Sequence, residues 1–290
     1  MAEQDRLQLI GQAFALLADT ESARFSRELG RVLAVLERDL LGLVAGVREG
    51  KRGILSRAGR LLMLRRELRE ALTEAGYSSL VTRASLDAVE RMAVAAQSYQ
   101  LIKASAKLGQ PLPARLTVLA RLMRADLLGV GDQLALAVWR SAVTSLYSDR
   151  PASVIVSALA KAIEKSRAQA QTLFDTQVSI VGRQIVSSAP MLPGQAYLYV
   201  GPIDGVVREW CLGQAGMVRT QPAIEALDNG QLPNPFVTGG GYNCRHSWIA
   251  VSDPALVALA DTGTRADGFA ERVESARAFK ALKRSLRRAA

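Results

Sequence analysis

The chain has 290 residues, of which 49% are hydrophobic and 22% charged. That balance excludes disorder as the main state and leaves apolar surface for one large core or two ordinary ones. Lysine and arginine number 37 against 27 acids, a formal net charge of +10, which favours an anionic partner and says nothing about fold. The two cysteines, Cys211 and Cys244, and the single histidine, His246, exclude a disulfide-stapled scaffold and a two-histidine zinc protease site.

No run of about 18 residues is free of charge, proline or polar interruption, so no membrane span is expected. Met1 to Asp19 carries Glu3, Asp5 and Arg6 and has no basic stretch leading into an apolar one, so a secretory leader is not expected either. From Asp5 to about Ala189 apolar residues recur at three and four, the period of an amphipathic helix. Leu29, Val32, Leu33, Leu36, Leu40, Leu43, Val44 and Val47 form the clearest stripe, with Arg31, Glu37, Arg38 and Asp39 off it. Gly50 and Gly53 interrupt this helix. A second is expected over Leu55 to Ala75, ending where Gly76 supplies a left-handed cap. A third covers Ser85 to Leu108 and stops at Gly109, with Pro111 and Pro113 in the connection. Two more follow over Ala114 to Leu128 and Asp132 to Tyr147, and a sixth opens on Pro151 and runs to about Ser188.

The pattern breaks at Pro190-Met191-Leu192-Pro193-Gly194, which reads as a boundary. Beyond it, Ala196 to Val200, Met217 to Arg219 and Ser247 to Val251 are β-prone, and Pro222 to Asp228 is a short helix ended by Asn229-Gly230. Gly239-Gly240-Gly241 permits a tight backbone path before Tyr242, Asn243 and Cys244. From Asp261 onward the chain is loop-like, then helical. The expected fold is mainly α: a long-helix bundle over 1–189, a small α+β module over 190–260, and a basic helical tail over 261–290.

Chemically capable side chains concentrate in the module: Asp204, Arg208, Cys211, Cys244, Arg245 and His246. Two readings of them stand open. In the plainer and favoured one the cysteines are small buried hydrophobes or bridge each other, and Asp204 pairs with Arg208 or Arg245 to pin two loops. In the other, Asp204, Cys211, Cys244 and His246 hold zinc, although the spacing is not that of a zinc ribbon. A catalytic Cys211 would need His246 beside it as base. The glycine triplet reads as a turn, because no Gly-Lys-Ser or Gly-Lys-Thr follows it. In the tail, Arg277, Lys280, Lys283, Arg284, Arg287 and Arg288 recur at three and four with no acid among the last fifteen residues, a face suited to nonspecific contact with DNA phosphates. A second basic cluster, Arg48, Lys51, Arg52, Arg57, Arg60, Arg65, Arg66 and Arg69, is interspersed with Glu49, Glu67 and Glu70 and reads as an exposed helix pair.

The stretch from Tyr197 to Cys211, reading Tyr-Leu-Tyr-Val-Gly-Pro-Ile-Asp-Gly-Val-Val-Arg-Glu-Trp-Cys, and the later Gly240-Gly241-Tyr242-Asn243-Cys244-Arg245-His246-Ser247-Trp248 together resemble the carboxyl-terminal domain of tailed-phage minor head proteins, the Mu F-like head-morphogenesis family. The resemblance covers about residues 155–252. Many members close the second element with His-Pro-x-Cys-Arg-Cys, where this chain has Asn243-Cys244-Arg245-His246. The resemblance implies a non-enzymatic component of the virion head, made in the host cytoplasm. It would act in head assembly beside portal or major capsid protein, with packaged genomic DNA as a nonspecific neighbour. The alternative from a different class is a DNA-associated nuclease or transferase built around Asp204, Cys211 and His246.

Overall fold

The computed structural model describes residues 2–49, 66–98, 114–147, 152–186 and 195–289. It is mainly helical, with one three-stranded sheet among the described residues, in the carboxyl-terminal region, so the expected fold class holds. Helix α1 runs over Glu3–Glu49, α2 is described over 66–74, α3 is Tyr77–Ser98, α4 Ala114–Tyr147 and α5 Ala152–Val186. Then follow β1 (Ala196–Val200), α6 (Glu209–Gln214), β2 (Val218–Thr220), α7 (Gln221–Glu225), α8 (Pro235–Thr238), β3 (Ser247–Ala250), α9 (Pro254–Val257) and α10 (Phe269–Ala289). No helix among the described residues is long and apolar enough to cross a membrane. The chain divides into two compact units, one of residues 1–20, 89–116 and 175–290, the other of 21–88 and 117–174.

Among the described residues the second unit is helical, and its core follows the apolar stripe: Leu29, Leu33 and Leu36 of α1 are buried while Arg31, Glu37 and Arg38 are exposed. Phe25 and Phe174 stack with ring centroids 4.1 Å apart and planes 5° from parallel, removing two large rings from water together. Arg24 bridges Asp87 at 3.0 Å and Glu28 at 3.3 Å, and Arg83 pairs with the other oxygen of Glu28. Burial pushes the Glu28 carboxyl up, but its bonds and charge contacts with Arg83 and Arg24 outweigh this and hold it below the ordinary value.

Two helix boundaries differ from expectation in this unit. The helices expected to be separate over Ala114 to Leu128 and Asp132 to Tyr147 are one helix, α4, running through Gly129 and Gly131. A Cβ on Gly131 would lie 2.6 Å from the Tyr77 ring, whose hydroxyl donates to the Leu127 carbonyl at 2.7 Å. The glycine therefore admits an aromatic neighbour and does not end the helix. The helix expected from Ser85 begins at Tyr77. Gly76, at φ +88°, does end α2, but it joins the two helices with no intervening loop. The interruptions at Gly50 and Gly53, the start at Leu55, the Gly109 to Pro113 connection, the Pro151 start, the end at Ser188 and the Pro190 to Gly194 boundary lie outside the described residues.

In the first unit β1 is the central strand, with the antiparallel order β2-β1-β3 and the register Leu198 opposite Val218 and Ile249, and Tyr199 opposite Trp248. All five residues of β1 are buried, as befits a strand covered on both faces. The buried Gln8 side chain of α1 donates to the Gly201 carbonyl at 2.6 Å, just past the end of β1. Glu3 accepts bonds from the Ser252 and Asp253 amides just past β3. Alternation along β1 sends Tyr197 and Tyr199 to one face. Tyr197 there meets Phe236 edge-on at 4.9 Å, and Tyr199 enters the cluster of polar and sulfur-bearing groups.

Candidate functional site

Three elements bring the cluster together: β1 supplies Tyr199, α6 supplies Cys211, and the turn leading into β3 supplies Cys244 and His246. The cysteines are free thiols with their sulfurs 3.8 Å apart. The Tyr199 hydroxyl lies 3.4 Å from the Cys244 sulfur and 3.7 Å from that of Cys211. The His246 ring stacks on Tyr199 at 5.2 Å and 11°. Cys211, Cys244 and His246 are each 2% exposed, and Tyr199 is fully buried. One potential ligand atom from each of the two cysteines and the histidine lies within 4.8 Å of the others. The His246 Nε2 is buried with no hydrogen-bond partner among the described residues, an uncompensated polar atom of the kind proteins rarely tolerate.

The backbone around the sulfurs explains the glycines. The Gly240 amide donates to Cys244 Sγ at 3.1 Å, and the His246 amide is 3.5 Å from the same sulfur. A Cβ on Gly240 would lie 2.4 Å from Cys211 Sγ, and one on Gly239, which sits at φ +59°, would lie 3.0 Å from Cys244 Sγ. The chain can thus pass the two sulfurs closely only without side chains there. This is the turn expected of the triplet, closed upon sulfur.

A buried cation supports this turn from α5. The Arg183 guanidinium, 3% exposed, donates through Nε to the His246 carbonyl at 2.7 Å, through one terminal nitrogen to the Val237 carbonyl at 3.3 Å, and through the other to the Cys244 carbonyl. Neutral carbonyls satisfy its donors and leave its charge to act on the sulfurs. Burial opposes ionisation of the Cys244 thiol, yet the bond with Cys211 and the Arg183 charge outweigh it and leave Cys244 well below the ordinary thiol value. The Cys211 thiol is pushed up by that same bond and by burial. The two sulfurs lie within reach of one shared S–H contact, with either as donor. Burial, and then the neighbouring sulfurs, also push the Tyr199 phenol up.

The six residues singled out in the module do not form one constellation. Asp204 stands apart from the sulfurs: its Oδ2 takes Arg245 at 2.6 Å, and its Oδ1 accepts the Val206 and Val207 amides at 3.0 and 3.1 Å. Burial raises that carboxyl, while Arg245 and the two amides lower it further, to a net value below the ordinary one. The Asp204–Arg245 pairing is one the plainer reading offered. Asp204 is absent from the ligand group formed by Cys211, Cys244 and His246, so of the four proposed zinc ligands three converge. Arg208 turns to the Gln231 side chain and the Tyr242 carbonyl and binds a loop. Sequence reasoning did not find Tyr199 or Arg183. The signal for Arg183 was a charge set among Val178, Val181, Ile185 and Val186 on one helix. For Tyr199 it was an aromatic in the middle of a central strand.

In the tail, Arg277 bonds Glu209 at 2.8 Å and Glu274 at 3.0 Å, and the Lys280 ammonium donates to the Val207 carbonyl. Two of the six basic residues thus tie α10 to the module through contacts around α6. Lys283 is exposed, and the side chains of Arg284, Arg287 and Arg288 lie outside the described residues. In the other basic cluster Arg66 pairs with Glu70 at 3.3 Å and Arg69 with Asp132 at 2.9 Å, as in an ordinary exposed helix pair. The side chain of Arg48, and all of Lys51, Arg52, Arg57, Arg60 and Arg65, lie outside the described residues. Compared with known proteins, the chain matches no family model, no curated protein and no solved structure.

Proposed function

We propose that this chain is a non-enzymatic minor head protein of a tailed phage, acting in head assembly at the portal or inner capsid face. The observation that supports this reading is the meeting of the two stretches that resemble the Mu F-like family: Tyr199 and Cys211 of the first touch Cys244 and His246 of the second. Cys211 and Cys244, one from each of the resembling stretches, are buried against each other, which suits a motif that builds a compact knob. The chain's long helices offer extended faces for protein partners. The net charge of +10 suits a protein that works next to packaged genomic DNA, through nonspecific phosphate contact.

The test is co-purification. Tagged chain expressed with phage portal and major capsid protein should be retained with one of them and recovered in proheads. Its absence from proheads and mature particles, together with no binding to either protein, overturns the reading.

A further inference from the structure

We propose that Cys211, Cys244 and His246 form a binding site for one borderline-soft divalent metal ion of the zinc class, with the Tyr199 hydroxyl at the fourth side and without Asp204. The donor chemistry selects the class: two sulfurs and an imidazole suit zinc and its close relatives and do not suit magnesium or calcium, which take oxygen. Size agrees as well. Two thiolates on a tetrahedral zinc, each about 2.3 Å from the ion, stand about 3.8 Å apart, and the Cys211 and Cys244 sulfurs are 3.8 Å apart. With the three ligand atoms inside 4.8 Å of one another, the imidazole needs to close by no more than about 1 Å to reach bonding range.

Three further observations point to a ligand. The His246 Nε2 lies buried and unpartnered among the described residues, and a metal ion bound through this nitrogen would give it a partner. The Cys244 sulfur faces two backbone amides, at 3.1 and 3.5 Å, an arrangement that supports a thiolate. Gly239 and Gly240 keep the backbone pressed to both sulfurs where any Cβ would intrude. Charge also balances: two thiolates neutralise a divalent ion, and Arg183 is already held by three carbonyl oxygens. Both sulfurs bind as thiolates, so the thiol protons leave to solvent as the ion enters, with no change of oxidation state. The ion would join α6 to the turn before β3 in a module whose sheet has three short strands. The inference does not depend on the head-assembly reading.

The experiment uses the full chain, purified without chelator and kept reduced. Elemental analysis should find one zinc per chain. After removal of zinc, titration with cobalt(II) should give thiolate-to-cobalt charge transfer and the intense visible bands of a tetrahedral site. Cys211→Ser and Cys244→Ser should abolish the charge-transfer signal or cut affinity more than about 100-fold, and His246→Ala more than about 10-fold. Asp204→Asn should bind as the parent does. If a cysteine variant fails to fold, the titration of the parent chain still decides. No cobalt signal from the reduced parent overturns the proposal, as does recovery of Cys211 and Cys244 as a disulfide from reduced, air-free preparations. A loss in Asp204→Asn equal to that in His246→Ala would overturn the ligand set.

Discussion

The two compact units hold themselves together in different ways. In the second unit the core is a set of apolar stripes, with Leu29, Leu33 and Leu36 buried together with the Phe25–Phe174 stack. The neighbourhood of β1 instead buries two thiols, a phenol and an imidazole in one cluster, with a guanidinium on the carbonyls of the adjoining turn. A stripe fails gradually, because each apolar contact contributes its own small share and neighbours can relax around a loss. A buried polar cluster fails when one member leaves, because the others keep their desolvation cost and lose their partners.

Truncations sharpen that contrast. Phe174→Ala should show the largest loss, about 3–5 kcal/mol in equilibrium unfolding, by emptying the stacked pair. Arg183→Met should cost about 3 kcal/mol although it keeps most of the side-chain volume, because the carbonyls of Val237, Cys244 and His246 lose their donor. Near-neutral behaviour of Arg183→Met in a denaturant titration would show that the cluster tolerates loss as a stripe does. Gly240→Ala, which places a methyl 2.4 Å from the Cys211 sulfur, should cost about 1–3 kcal/mol. The same variant should also make the native thiols react faster with a thiol reagent.

The smallest effect is electrostatic and appears in both units. Glu28 and Asp204 each sit below the ordinary carboxylate value. Their stabilising contribution is therefore complete above about pH 4 and is lost as the pH falls through the lowered folded value. Both are partly solvated ion pairs, so each accounts for less than about 1 kcal/mol. Glu28→Gln and Asp204→Asn should each lower stability at pH 7 by less than about 1 kcal/mol and match the parent in acid, so that the decline below pH 4 is shallower. An unchanged acid limb in both variants would remove these pairs from the account.

What could be read in advance follows the same division. The stripe of α1 was legible because every turn repeats the same apolar choice, and Ala196 to Val200 because five β-prone residues stand between turn signals. The boundary inside α4 was misread because Gly129 and Gly131 disfavour helix by about 1 kcal/mol each, whereas Tyr77, some fifty residues away in the chain, packs onto Gly131. The start of α3 was hidden by Tyr77, Ser78, Ser79, Val81 and Thr82, residues with little helix preference of their own. In the module the right residue types were visible, but their partners were not. Asp204 is nearer to Cys211 in sequence than Tyr199 is, yet Asp204 bonds Arg245 and Tyr199 joins the sulfurs. Strand alternation and the return of the chain at β3 decide that, and no spacing rule encodes it.

The most direct test of the buried cluster is the reactivity of its two thiols. In the reduced native chain, Cys211 and Cys244 should resist a thiol reagent and react only as fast as the protein opens. In denaturant with chelator, two thiols per chain should react at once. Rapid native labelling of either cysteine, at the rate of a free exposed thiol, would contradict the account.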